Sequence, residues 1–307
     1  MMYIVYLIVF GFILTTALGL IASWIDRKVT ARVQYRVGPP FFQPFYDITK
    51  LLGKETVVPA TASKGMFLIS PVIGFAAATV ASTILWMNQL KLGASFLGDI
   101  IVLLYLFTLP SLSIILGGVS SGNPLGRVGA SREIKLVLSY ELPFILCLLV
   151  PIIKSGYSIR LLQILNFQTN NSATALSFSG GLALLMLIPC IQAKLALVPF
   201  DIAEAETEIM AGPIIEYSGV SLAIYKLTKS ILLFSLPFFI ITLFLGGFNF
   251  VGFGILYSII KYIVFLVIIT VIRNTNPRVR IDHAMRFFWG PITIGSIIAV
   301  VLALLDL

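Results

Sequence analysis

Residues 2–25, MYIVYLIVFGFILTTALGLIASWI, run straight into residues 26–40, DRKVTARVQYRVGPP. The first stretch has no charged side chain, and about 20 mostly apolar residues suffice to cross a bilayer as a helix. It has no basic segment in front of it and outruns the roughly 7–15-residue core of a secretory signal. It therefore predicts a first membrane span, and the second stretch predicts a basic segment at the membrane surface.

The same alternation continues along the chain. Apolar segments follow at 66–88, 97–119, 136–153, 176–198, 218–245, 251–272 and 287–305, so eight spans are expected, the fourth being the shortest. The sixth carries Lys226, Lys229 and Pro237, features that predict a kink or a face turned to protein. Of the 307 residues, 59% are hydrophobic and 11% charged, where soluble domains carry about 25% charge. Lipid is the solvent that fits. The reading is an all-α, polytopic membrane protein of about eight transmembrane helices with charged cytoplasmic loops, formed as one domain over 1–307.

The net charge of +8 lies mostly between the spans. Loops 26–65, 120–135, 199–217 and 273–286 hold fourteen Lys and Arg; loops 89–96, 154–175 and 246–250 hold three. The positive-inside rule puts the first set in the cytoplasm and both termini outside. The basic balance then speaks for membrane headgroups and not for nucleic acid, for which no module is visible. Cys147, Cys190 and His283 are too few to hold a cluster or a metal site.

Three constellations carry chemistry. In the first, Arg27 and Lys28, Arg32 and Arg36 form a stripe at helical spacing, ended by Gly38-Pro39-Pro40 and followed by Gln43-Pro44, Asp47 and Lys50. Such a stripe either anchors to headgroups or docks a soluble partner. In the second, Gly129-Ala-Ser-Arg132-Glu133-Ile134 leads to Ser139-Tyr140-Glu141-Leu142-Pro143. Glu141 falls inside a span, where a lone carboxylate costs at least a few kcal/mol. It is either a structural partner of a nearby Arg or Lys or part of an ion or proton relay. In the third, residues 199–219 read PFDIAEAETEIMAGPIIEYSG. On a helix Asp201, Glu204 and Glu208 would share a face while Glu206 points elsewhere. Like charges this close are expected to couple in their titrations. The alternative is an acidic cap paired with the basic stripe. Lys261, near mid-span, predicts a polar partner inside the bundle, and 273–286 reads as an anchoring loop.

RKVTARVQYRVGPP with QPFYDITKLLGKE, GASREI with SYELP, and the 199–219 stretch together resemble one family. It is the eight-helix membrane subunit shared by respiratory complex I, where it is the quinone-channel subunit, and by membrane-bound energy-converting [NiFe] hydrogenases and formate hydrogenlyase. Gly38-Pro39-Pro40 and Gly212-Pro213 look like the hydrogenase branch; quinone-type members resemble a Gly-Pro-Asn and a Gly-Tyr there. The resemblance implies a non-catalytic membrane anchor and energy-coupling subunit of an oxidoreductase complex in a prokaryotic cell membrane. It would bind no metal or cofactor itself. Iron–sulfur clusters, and in the hydrogenase branch a nickel–iron centre, would sit in soluble hydrogenase-like subunits on the cytoplasmic face, with antiporter-like subunits beside it in the bilayer. Carried over by motif, the relay takes in Glu141, Asp201, Glu204, Glu206, Glu208 and Glu216, with Lys194 beside the loop. The docking surface takes in Arg27, Lys28, Arg32, Arg36, Asp47 and Lys50, together with Arg132 and Glu133. Rival expectations are a quinone-site subunit, a sulfur-reducing relative and, from another class, a stand-alone ion transporter.

Overall fold

The computed structural model describes residues 2–92, 95–250 and 252–305, and among these there is helix and no strand. Among the described residues seven helices are long and apolar enough to cross a membrane: α1 (Met2–Val33), α3 (Lys64–Gln89), α4 (Asp99–Ser120), α5 (Pro124–Lys154), α9 (Gly219–Phe244), α10 (Gly254–Thr275) and α11 (Ile281–Leu304). An eighth, α7 (Phe178–Lys194), has 17 residues, which gives about 25 Å at 1.5 Å per residue. Short helices α2 (Gln43–Leu52), α6 (Leu161–Asn170) and α8 (Glu206–Ile209) lie between them.

Three expectations about the spans are corrected. The fourth is not the shortest: α5 has 31 residues. Asn123 accepts from Leu125 N to cap it, and Pro124 sits in its first turn, where a missing N–H costs nothing. Most of the 120–135 segment, read as a loop, is therefore helix. The shortest span is α7, which ends at Lys194. The first span does not stop at residue 25; α1 continues to Val33 and takes Arg27, Lys28 and Arg32 onto its last turns. Arg36 lies past the helix end, after Tyr35 at φ 57°, so the basic stripe is not one helical face throughout.

The sixth span, α9, runs unbroken through Pro237 and forms the axis of the bundle. In its most apolar stretch 83% of residues are buried in protein, against 22% in α1. Phe238, Phe239, Ile240 and Ile241 are shut in on consecutive positions, all round the helix. A helix apolar on every face is one surrounded by other helices. α9 packs chiefly on α1 and α3, with α10 on its flank; α4 joins this group to a second one of α5, α7 and α11. Gly19 brings α1 into backbone contact with Ser230 of α9, so closely that a Cβ there would strike the Ser230 carbonyl. Small residues at such crossings let helices approach where lipid gives no hydrophobic drive to associate.

Candidate functional site

The three constellations meet on one face of the bundle. Segment 53–58 of the first loop lies against the start of α9: Val57 N–H donates to Ser218 Oγ at 3.0 Å and Val220 N–H to Thr56 Oγ1 at 3.2 Å. The 199–217 loop is tied down at its far end by Tyr217, whose ring stacks on Phe67 at 4.1 Å and whose hydroxyl donates to the Phe67 carbonyl at 3.0 Å. Gly212, at φ +49°, turns the chain so that Pro213 fits between Gly118 of α4 and Gly129 of α5.

The acids of this loop do not share one helical face. Only Glu206–Ile209 is α-helical, with a single 3-10 turn at Gly212–Ile214; residues 202–204 turn and bend after a cis Val198–Pro199 bond. Each acid has gone to a cation on a different element. Asp201 pairs with Arg278 at 2.8 Å, Glu208 with Arg132 of α5 at 2.6 Å, and Glu204 with Lys229 of α9. Long-range pairing has overridden the local period, and none of these partners is in the basic stripe of the first loop. Glu206 is exposed. Glu216 accepts from Asn123 Nδ2 at 2.6 Å, which ties the loop to the cap of α5. Burial pushes the Asp201 carboxyl up from its ordinary value, against the pull of the Arg278 guanidinium.

That shift has a testable sign. A carboxyl whose folded value lies above its unfolded one favours the fold fully at low pH, and this contribution is lost as pH rises through the folded value. Asp201→Asn removes the cost of ionising there. It is expected to leave the thermal midpoint at neutral pH no lower than that of the parent; a drop would show that the Arg278 pair outweighs burial.

Below the loop, Lys194 closes α7 with its side chain fully buried. Its Nζ donates to Glu141 Oε2 at 2.9 Å and lies 4.4 Å from the Phe144 ring centroid and 5.3 Å from that of Tyr140. Glu141 thus has a basic partner, on another helix and not near its own helix start. Among the described residues none bonds Glu141 Oε1, Asp201 Oδ1 or Glu204 Oε1, all of them buried. Each of these carboxylates therefore has one oxygen without a hydrogen-bond partner among the described residues.

The expected docking residues divide. Arg27 and Asp47 pair at 2.8 Å across α1 and α2, and the hydrogen bond from Arg27 holds the Asp47 carboxyl below its ordinary value. Arg27, Arg36 and Arg273 line a basic recess of about 330 Å³, while Lys50 is exposed on α2. Lys28 is half-buried under Gly38. Arg132 is a clasp on the acidic loop, through Glu208 and the Ile202 carbonyl. Glu133 is corrected in position: it is 2% exposed, within reach of the Ser111 hydroxyl and of the fields of Glu204 and Lys229. A helix face turned inward cannot present it to a partner.

Sequence reasoning passed over Arg278 and the buried pair of Asp26 with Arg273, which the Thr270 hydroxyl joins at 3.1 Å. A sign was there: both segments lie at the ends of spans that emerge on the same face. Lys261 does find a polar partner, the Leu245 carbonyl at 2.7 Å. Among the described residues, no group of three or more His, Cys, Asp or Glu is placed to hold a metal ion.

An all-helical bundle with buried charge pairs beneath one heavily charged face defines a polytopic integral membrane protein of the kind that serves as one component of a larger assembly. Residues 4–304 match the NADH dehydrogenase family, and the chain belongs to it. It is 36% identical over 306 residues to a subunit of NADH-quinone oxidoreductase from Thermomicrobium roseum, covering 91% of this chain and 89% of that one. The like-named subunit from Helicobacter acinonychis is 33% identical over 291 residues, covering 89% and 88%. A chain of the membrane-bound sulfane sulfur reductase, an archaeal respiratory membrane complex, superposes with a TM-score of 0.88 at 26% identity, covering 99% of this chain and all of that one. The resemblance drawn from the motifs is borne out.

Proposed function

We propose that this chain is the membrane-anchor and coupling subunit of a multisubunit respiratory complex in a prokaryotic cell membrane, with its charged face toward the cytoplasm. A soluble arm docks on that face, and antiporter-like subunits stand beside the chain in the bilayer. Iron–sulfur clusters in the arm, with a nickel–iron centre if the complex is a hydrogenase, supply the electron transfer. The chain's own part is to carry charge. A change of field above the 199–217 loop shifts the balance between Asp201, Glu204 and Glu208 and the cations Arg278, Lys229 and Arg132. Glu204 and Glu133 feel one another, and the step inward from there is to Glu141 and Lys194.

The observation that carries this proposal is the Lys194–Glu141 pair beneath the acidic loop, its ammonium fully buried and one carboxylate oxygen unclaimed among the described residues. Intramembrane ionisable groups are expensive and mark ion pathways by default. Glu141→Gln keeps an acceptor for Lys194 and removes the titrating group. The expected outcome is an assembled complex with near-normal electron transfer and a fall in ions moved per electron. Pumping at the normal ratio would take Glu141 out of the path.

Within the family we place the chain on the hydrogenase and sulfur-reductase side, on Gly38-Pro39-Pro40 and Gly212-Pro213. A quinone-site role is the second reading, favoured by the names of the relatives at 36% and 33% identity. Against it, the apolar groove between α1 and α10 has no lining residue from the acidic loop. Nickel with iron in the purified complex supports the hydrogenase; iron alone, with loss of activity on adding quinone-site inhibitors, supports the second reading.

A further inference from the structure

Toward the face opposite the charged loops, two clefts lie side by side. One, of about 390 Å³, is a groove open to lipid between Ala22 and Ile25 of α1 and Ile259 and Ile263 of α10, floored by Trp86 and Tyr262. The other, of about 620 Å³, carries polar side chains on mostly apolar walls, with Lys91, Lys261, Gln89 and Asn166 in its lining. Phe248 and Phe250 line both, so the apolar groove and the polar cleft are neighbours that share a wall.

Lys261 sits two turns into α10 with its ammonium 4.4 Å from the Tyr257 ring centroid. The Leu245 carbonyl takes one of its three N–H donors. None of the residues lining the polar cleft is acidic. Only three Lys or Arg residues occupy the loops of this face, and Lys91 is one of them. Two cations line one cleft that has no acidic side chain in its lining, beside a groove that only hydrocarbon suits.

We infer that these adjoining clefts hold one anionic phospholipid, its phosphate in the cleft lined by Lys91 and Lys261 and an acyl chain passing over the shared Phe248–Phe250 wall into the groove between α1 and α10. The lipid acts as a filler between the first and seventh spans, whose facing residues Ala22 and Ile259 do not close on one another. This site is independent of the proposed coupling role and lies on the other side of the membrane from it.

The test is to purify the complex from its native membrane in mild detergent and measure retained phospholipids by class with mass spectrometry. Lys261→Met with Lys91→Gln removes the charge. Ile259→Trp fills the groove from a position 49% exposed on the bundle surface, where the fold has room for it. Each variant is expected to lose about one anionic phospholipid per chain and to keep its zwitterionic lipid. Unchanged anionic lipid in either variant overturns the site, as does loss of a zwitterionic lipid in its place. Should the double lysine variant fail to assemble, Lys91→Gln alone, at an exposed position, gives the same readout.

Discussion

Lys194→Met is expected to lower the stability of the chain by about 3–5 kcal/mol, the usual result of stripping one member from a buried ion pair. The cause is what stays behind. Lys194 is fully enclosed, and its ammonium is the partner that Glu141 Oε2 has among the described residues. Without it the carboxylate, only 19% exposed, keeps no cation beside it among the described residues, while methionine fills the space the stem occupied. The second replacement in the series decides the interpretation. Lys194→Met with Glu141→Gln removes both charges and is expected to recover most of the loss, because a neutral pair costs far less to bury. The thermal midpoint of the detergent-solubilised complex reads both. A single variant as stable as the parent would mean that water reaches Glu141 freely, and a double variant no better than the single would place the loss in packing.

Gly129→Ala is expected to damage the charged face through a single added methyl group. A Cβ at Gly129 would lie 2.5 Å from Pro213 Cδ and 2.9 Å from the Ala203 carbonyl. Neither neighbour is the loose end of a side chain, so the 199–217 loop must lift from α5. Overpacking of this kind costs about 1–3 kcal/mol, and here it also loosens Arg132 from Glu208 and Lys229 from Glu204. The expected result is a chain that still inserts but whose loop is cut by protease at a concentration that spares the parent. A loop equally resistant in the variant would show that Pro213 does not fix it.

The spans were legible because lipid imposes one rule, that the backbone satisfy itself within a long apolar helix. Residues 2–25 obey that rule plainly. Where the spans end was less legible: α1 runs past Asp26 to Val33 because Asp26 is buried against Arg273 and Thr270 from the other end of the chain. That stabilisation comes from residues some 240 positions away, which no local window contains. The acidic loop failed for a similar reason. Its i, i+3, i+7 spacing suited a helix, yet Arg278, Lys229 and Arg132 each draw one acid in a separate direction. Charge as a class was visible in the sequence; the pairing of charges was not, because it is a property of the bundle. Glu133 shows the same limit, since a Glu beside an Arg reads as surface until the helix phase turns it inward.

The enclosure of α9 bears on how the chain is made. A ribosome delivers the helices in order, and α9 arrives after α1 and α3, the two on which it chiefly packs. Lys226 and Lys229 would have no reason to stay in open hydrocarbon, but by then the acidic loop, whose Glu204 pairs with Lys229, has already emerged. The axis of the bundle is thus laid into a cradle synthesised before it. Truncations that stop after Phe244 have the partners they need to insert α9, whereas a chain beginning after α3 would hand the same helix to the membrane with nothing to receive it.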